Sequence, residues 1–281
     1  MSTTITSSTA ADTGVAPTSA DRERVRTVSA PIRTIPLHRI VSVELRKSFD
    51  TRAGFWLLSS IGAAALLTTG AIIAWAPRAE LTYSQFILAI GMPMTVILPI
   101  IAALSVTSEW TQRTGLATFT LVPHRGRVLL GKAAGSVLVA LVATLVAFVV
   151  AALGTVVASR LAGIEPVWDV DAASLVAFGS AIELLLLTGF TLGTLIRASA
   201  GAIVAYMIYA FLLPGVLTLL AMYQAWFRDL RPWVDAKLTQ EALMNGGLSG
   251  DQWAHLAVTT MVWLVIPLVI GVVRVLRAEV K

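Results

Sequence analysis

Glu183 is the only Asp, Glu, Lys or Arg inside any of the long apolar stretches of this chain. A charge at the centre of a bilayer-length segment costs about 3 kcal/mol or more. A carboxyl placed there would either carry a proton or contact a polar substrate path. Its structural use would be to tie helices together through hydroxyl partners such as Thr188 or Tyr206. Other chemistry is poorly provided for. The chain has no cysteine, which excludes disulfides, thiol catalysis and thiolate metal sites. Neither the H-E-x-x-H zinc pattern nor the G-x-x-x-x-G-K-[ST] phosphate loop occurs. Gly131-Lys132 lacks the hydroxyl that must follow, with Ala133 in its place, so a nucleotide would have to be bound by a separate polypeptide. Gly247-Leu248-Ser249-Gly250 sets a serine among glycines, but a nucleophile needs a base on another span, and no span interior holds a histidine, His255 being at the mouth of the same helix.

The elements that must position these residues follow from composition. The chain has 281 residues, 57% apolar and 13% charged, with mean hydropathy +0.81. Soluble domains carry about 25% charged residues, so an ordinary soluble enzyme is excluded. Six stretches reach the length of about 20 apolar residues that a transmembrane helix needs: 55–76, 86–107, 133–157, 173–195, 200–222 and 255–273. Lys and Arg sort unevenly between them. Sixteen of 21 fall before the first stretch, on the second and fourth connections, or in the tail. The positive-inside rule makes that side cytoplasmic, and an even number of spans puts both termini there. The net charge of +5 is therefore a topology signal and not a nucleic-acid footprint. His38 and His124 fall inside and His255 outside, so the three cannot share one metal. Residues 1–35, rich in Ser, Thr and Ala without an apolar run, read as a disordered cytoplasmic tail and not a signal peptide. Residues 36–281 read as the membrane domain of a cell-membrane protein.

Between the spans, residues 36–53 predict a basic amphipathic helix lying at the interface, with Leu37, Ile40, Val41, Leu45 and Phe49 on one side. Glu44, Arg46 and Lys47 are its polar positions of interest, as an elbow that transmits motion from a cytoplasmic partner. The second connection, about 25 residues from Ser108, carries Leu116, Phe119 and Leu121 among charges, which suggests a protein interface. The fifth connection, 223–254, carries Trp226, Phe227, Trp233 and Trp253, and predicts short helices at the outer headgroup level. Ser249-Gly250-Asp251-Gln252 has the capping-box pattern, so the last helix is expected to start at Ser249. Pro93 and Pro99 should interrupt the second span and Pro214-Gly215 the fifth. Gly189-x-x-x-Gly193 should allow close helix approach.

The six-span pattern, basic pre-helix and long fifth connection resemble the permease subunit of an ATP-binding-cassette exporter of the type-2 membrane family. The second connection carries the most specific likeness: Glu109, then Thr114, then Pro123, followed by Arg125, Arg127 and Lys132. Where the family usually has Gly before the Thr, this chain has Arg113, with Gly115 after it. Leu195 to Ala202 and the end from Trp263 through Pro267 and Gly271 to Arg277 are similar as well, so the resemblance spans residues 37–281. It implies an all-α membrane protein that pairs as a homodimer or heterodimer and docks on separate cytosolic ATPase subunits. Mg-ATP would be bound by those partners, with no cofactor in this chain. Glu109, Arg113, Thr114, Gly115, Phe119, Pro123 and Arg125 would couple to the ATPase. Met92, Met94, Thr95, Tyr206, Tyr209 and Phe211 would line the path, with Glu183 as a further path residue. Met and aromatic surfaces suit an apolar or amphipathic substrate. The competing readings are a proton- or ion-coupled secondary transporter using Glu183, and a membrane scaffold without transport activity.

Overall fold

A computed structural model describes residues 36–111 and 125–277, apart from the side chains at 48, 53, 109–111 and 125. Among the described residues all regular elements are helical, and the one β feature is an isolated bridge between Thr82 and Val167. The helices are α1 (Leu37–Asp50), α2 (Arg52–Trp75), α3 (Tyr83–Thr111), α4 (Arg125–Ala162) and α5 (Ala172–Ile196). They continue as α6 (Ser199–Tyr223), α7 (Ala225–Val234), α8 (Ala236–Met244) and α9 (Gln252–Arg277). Six of them, α2 to α6 and α9, are long and apolar enough to cross a membrane. The predicted tail and the residues from Gln112 to His124 lie outside the described residues.

Two expectations need correction. The third span was expected over 133–157, yet α4 has 38 residues and extends past both limits. Arg127 and Lys132, expected on a connection, are therefore helical. The prolines also do not break their helices. α3 runs through Pro93 and Pro99 without interruption. In α6 a π turn over Ile208–Leu212 comes just before Pro214, and in α9 one over Met261–Val265 comes just before Pro267. Proline lacks an N–H and its ring crowds the carbonyl four residues back. Widening the preceding turn to the i→i+5 pattern makes room for the ring while the helix continues.

The core lies between α3 and α5, half of whose membrane-length windows are buried, against 11% for α6. Gly189 and Gly193 make that contact. A Cβ at Gly189 would strike the Pro99 carbonyl, and one at Gly193 would lie 2.8 Å from the Ala103 oxygen. The small-residue signal thus marks a true close approach. Gly271 lets α9 approach α5 in the same way, at 3.1 Å from the Leu195 nitrogen. The link from α5 to α6 is the dipeptide Arg197-Ala198, with Arg197 in the left-handed region at φ 59°. Ser199 then holds the start of α6 to α3 through a 2.9 Å hydroxyl pair with Thr107.

At the other end of the bundle, the connection after α4 is stitched to the start of α3. Tyr83 N–H donates to the Val167 carbonyl (3.1 Å). Asp169 accepts from both the Ser84 N–H (2.9 Å) and the Ser84 hydroxyl, capping α3 from a distant segment. At the start of α9 the capping box is half formed. The Gln252 Oε1 accepts from the Ser249 N–H (2.9 Å) and hydroxyl (3.2 Å), but the regular helix begins at Gln252, not Ser249. Gly250, at φ 45°, turns the chain between them.

Partial burial raises the Asp169 carboxyl, but the Ser84 bonds, helped by Thr82, outweigh it and hold the group below its ordinary value. A depressed carboxyl contributes stability that is full above the unfolded pKa of about 3.9 and is lost as pH falls through the lower folded value. Asp169→Ala should therefore cost about 1 kcal/mol at neutral pH. The gap between its unfolding midpoint and that of wild type should close at the acid end of a pH series. A gap that is constant with pH would contradict the assignment.

Candidate functional site

Pro99 determines the geometry of the site. A proline at 99 leaves the carbonyl of residue 95 without its helical donor. In hydrocarbon such a carbonyl must find another. The Tyr206 hydroxyl of α6 donates to it, a bond between two spans. Tyr206 is fully buried, and Thr95 satisfies its own hydroxyl on the Met92 carbonyl (2.7 Å).

The two π turns carry the next pair. Tyr209 lies in the α6 turn and Trp263 in the α9 turn, with ring centroids 5.5 Å apart. Each reaches toward the short helices. Gln240 of α8 donates to the Tyr209 hydroxyl (3.2 Å), and Trp263 Nε1 donates to the Val234 carbonyl at the end of α7 (2.8 Å). Asp235, between α7 and α8, is buried and doubly used. It accepts from Arg231 (3.0 Å) and caps α8 at the Lys237 N–H (3.2 Å). Arg231 in turn donates to Thr218 of α6 (2.8 Å). The pair α7–α8 is thereby fastened to α6 and α9.

Beneath it lies a cavity of about 310 Å³. Its walls are Leu88, Met92, Thr95, Leu185, Tyr206, Tyr209 and Phe211, with Gln240 of α8, and the half-exposed Lys237 and Glu241 of α8 stand at its rim. Small-molecule pockets run from about 300 to 1,000 Å³ and are mostly apolar with a few placed polar groups, which describes this one. Of the expected path residues, Met92, Thr95, Tyr206, Tyr209 and Phe211 come together here. Met94 does not line the cavity; it is fully buried in the core. Glu183 does not line it either. Both its carboxyl oxygens are buried without a hydrogen-bond partner. The expected partners are committed elsewhere, Thr188 to the Leu184 carbonyl and Tyr206 to Thr95. Sequence reasoning missed the α8 residues. The signal available was Asp235 as a cap before the short pattern Ala-Lys-Leu-Thr-Gln-Glu.

A second constellation sits at the opposite end. Ile40 and Glu44, one turn apart on α1, lie over Gly131 and Gly135, one turn apart on α4. Added Cβ atoms at the two glycines would meet Ile40 Cγ2 at 2.5 Å and Glu44 Cβ at 3.3 Å. This approach lets Lys132 reach Glu44 (3.1 Å) and the Ser105 carbonyl of α3 (2.9 Å). Both charged side chains are over nine-tenths buried. Lys47 adds a more exposed contact to Glu44 (2.9 Å), and Arg46 pairs with Asp50 in solvent. Leu37 and Phe49, expected to share one apolar face with Ile40, stay exposed. Arg113, Thr114, Gly115, Phe119 and Pro123 lie outside the described residues, as do the side chains of Glu109 and Arg125 on the flanking helices.

No family model matches the chain, and no curated protein matches it either.

Breaking a buried ion pair by removing one partner costs about 3–5 kcal/mol, whereas replacing both with apolar groups of similar volume is near neutral. Lys132→Met alone should therefore lower the unfolding midpoint strongly in detergent, and Glu44→Leu with Lys132→Met should recover most of the loss. Equal destabilisation by the single and double variants would show that the pair does not brace α1.

Proposed function

We propose that this chain is the membrane permease subunit of an ATP-driven exporter of an apolar or amphipathic substrate. The observation that carries the reading is the cavity between α3, α5 and α6, apolar within and polar at the rim. It supports passage of a molecule with both kinds of surface. Without a phosphate loop, the energy must come from a separate cytosolic ATPase. The segment from Glu109 to Arg125 joins α3 to α4, the two helices bonded by Lys132, so a push on it would reach both. α1, tied to α4 by the same lysine, would act as the elbow. In this reading both termini are cytoplasmic, the protein lies in the cell membrane, and two permease subunits pair as a homodimer or heterodimer.

The test is purification from native membranes followed by transport in proteoliposomes. An ATPase subunit should copurify, and export should require ATP. Glu109→Ala with Arg113→Ala should release the ATPase and reduce transport at least tenfold. If no ATPase copurifies and the double variant transports normally, the reading is wrong.

A second reading is favoured by one observation: the buried, unpartnered carboxyl of Glu183. Such a group suits a proton-coupled carrier. Transport driven by a pH gradient without nucleotide, and abolished in a well-folded Glu183→Gln variant, would establish it. Undiminished transport by that variant would remove it.

A further inference from the structure

The cavity has the depth, wall chemistry and rim charges of a site for one particular kind of molecule. On α3 the lining runs seven residues, from Leu88 to Thr95. At ~1.5 Å per residue that is ~10 Å, which fits within one leaflet of a hydrocarbon core of ~30 Å. The depth is lined by Leu88, Met92, Leu185 and Phe211. The hydroxyls among them are already engaged, Tyr206 with Thr95 and Tyr209 with Gln240. Asp235 is neutralised by Arg231. Hydrocarbon is what such walls accept. The volume of about 310 Å³ is at the small end of ligand pockets, room for one chain and not two.

The cavity also opens sideways. Met92 on α3 and Phe211 on α6 line it, yet are 69% and 59% exposed on membrane-length helices. They form a window between the two spans at the level of the acyl chains. At the rim, Lys237 and Glu241 stand 3.6 Å apart, each about half exposed. A solvent-screened pair of this kind is weak. A phosphate can take the lysine and an ammonium the glutamate, at little cost in lost pairing.

We propose that the cavity binds a single-chain zwitterionic amphiphile, drawn from the adjacent leaflet through the window between Met92 and Phe211. Its chain lies along α3 and its headgroup rests on Lys237 and Glu241. This assignment rests on the exporter reading above only for what happens after binding.

The test uses the full-length chain in vesicles of diacyl phosphatidylcholine, without ATPase or nucleotide. The probe is a single-chain phosphocholine bearing a mid-chain diazirine, and labelled residues are mapped by mass spectrometry. Saturable labelling should concentrate on Leu88, Met92 and Phe211. Excess unlabelled single-chain phosphocholine should reduce it at least fivefold, and an alkyl sulfate of equal length should not. Ala210→Trp, which fills the cavity, should remove the saturable component, whereas Val204→Trp, on the exposed side of α6, should not. Lys237→Ala with Glu241→Ala should weaken the probe at least threefold. Labelling equally strong at Val142 and Val204, or unaffected by competition, would mean annular lipid only and overturn the proposal, whatever the behaviour of the Trp variants. Because no energy source is present, failure here leaves ATP-driven export of another substrate standing. Saturable labelling with no ATP-driven transport would retract the exporter reading and keep the site.

Discussion

A backbone carbonyl within hydrocarbon needs a donor, and proline takes one away. That constraint shapes the part of this protein where a cavity forms. Pro99 leaves the Thr95 carbonyl open, and Tyr206 closes it from another span. Pro214 and Pro267 are each met by a widened turn. Those turns carry Tyr209 and Trp263, whose polar atoms anchor the short helices α7 and α8. Helices pinned by side chains at a few points do not fill the space between them as ridges into grooves would. The cavity is what remains.

The two ends of the bundle use opposite means. At the α1 end, glycines bring helices into contact and a buried ion pair fastens them. The other end is joined by longer side chains: Asp169 to Ser84, Arg231 to Thr218, Trp263 to Val234. α3 runs through both. It receives Lys132 at Ser105, pairs with Ser199 at Thr107, and receives Tyr206 at Thr95. Its three partners on those bonds are one side chain of α4 and two of α6. A displacement at the α1 end therefore has a bonded route along a single helix to the cavity wall.

Much of this was legible in the sequence. Apolar length gave six spans because a bilayer demands it of any helix that crosses. Gly189 and Gly193 gave a close approach on α5, though not its partner α3, because a helix axis can approach only where side chains are missing. Met92, Thr95, Tyr206 and Tyr209 were grouped through a family likeness, and the structure brings them to one cavity. Other features were hidden for physical reasons. Lys132 looks like a boundary charge, because a hydropathy window cannot see that α1 returns to neutralise it. Glu183 was given Thr188 or Tyr206 as hydroxyl partners, but these bond the Leu184 and Thr95 carbonyls instead. Short helices were expected over 223–254, but which of their residues border the cavity was not, because a nine-residue amphipathic segment does not tell what it covers.

The π turn in α6 has a consequence for how the span is faced. An ordinary helical turn advances about 100° per residue, so a turn holding one more residue displaces the angular phase of all that follows. Tyr206, before the turn, and Leu213 and Pro214, after it, border the same cavity. The span behaves as two cylinders joined with a twist. A lesion that shortens Ile208–Leu212 by a single residue would leave length and hydropathy nearly untouched, yet turn the lower cylinder away from its neighbours. Chain length at that point sets which side chains of the lower cylinder face the cavity.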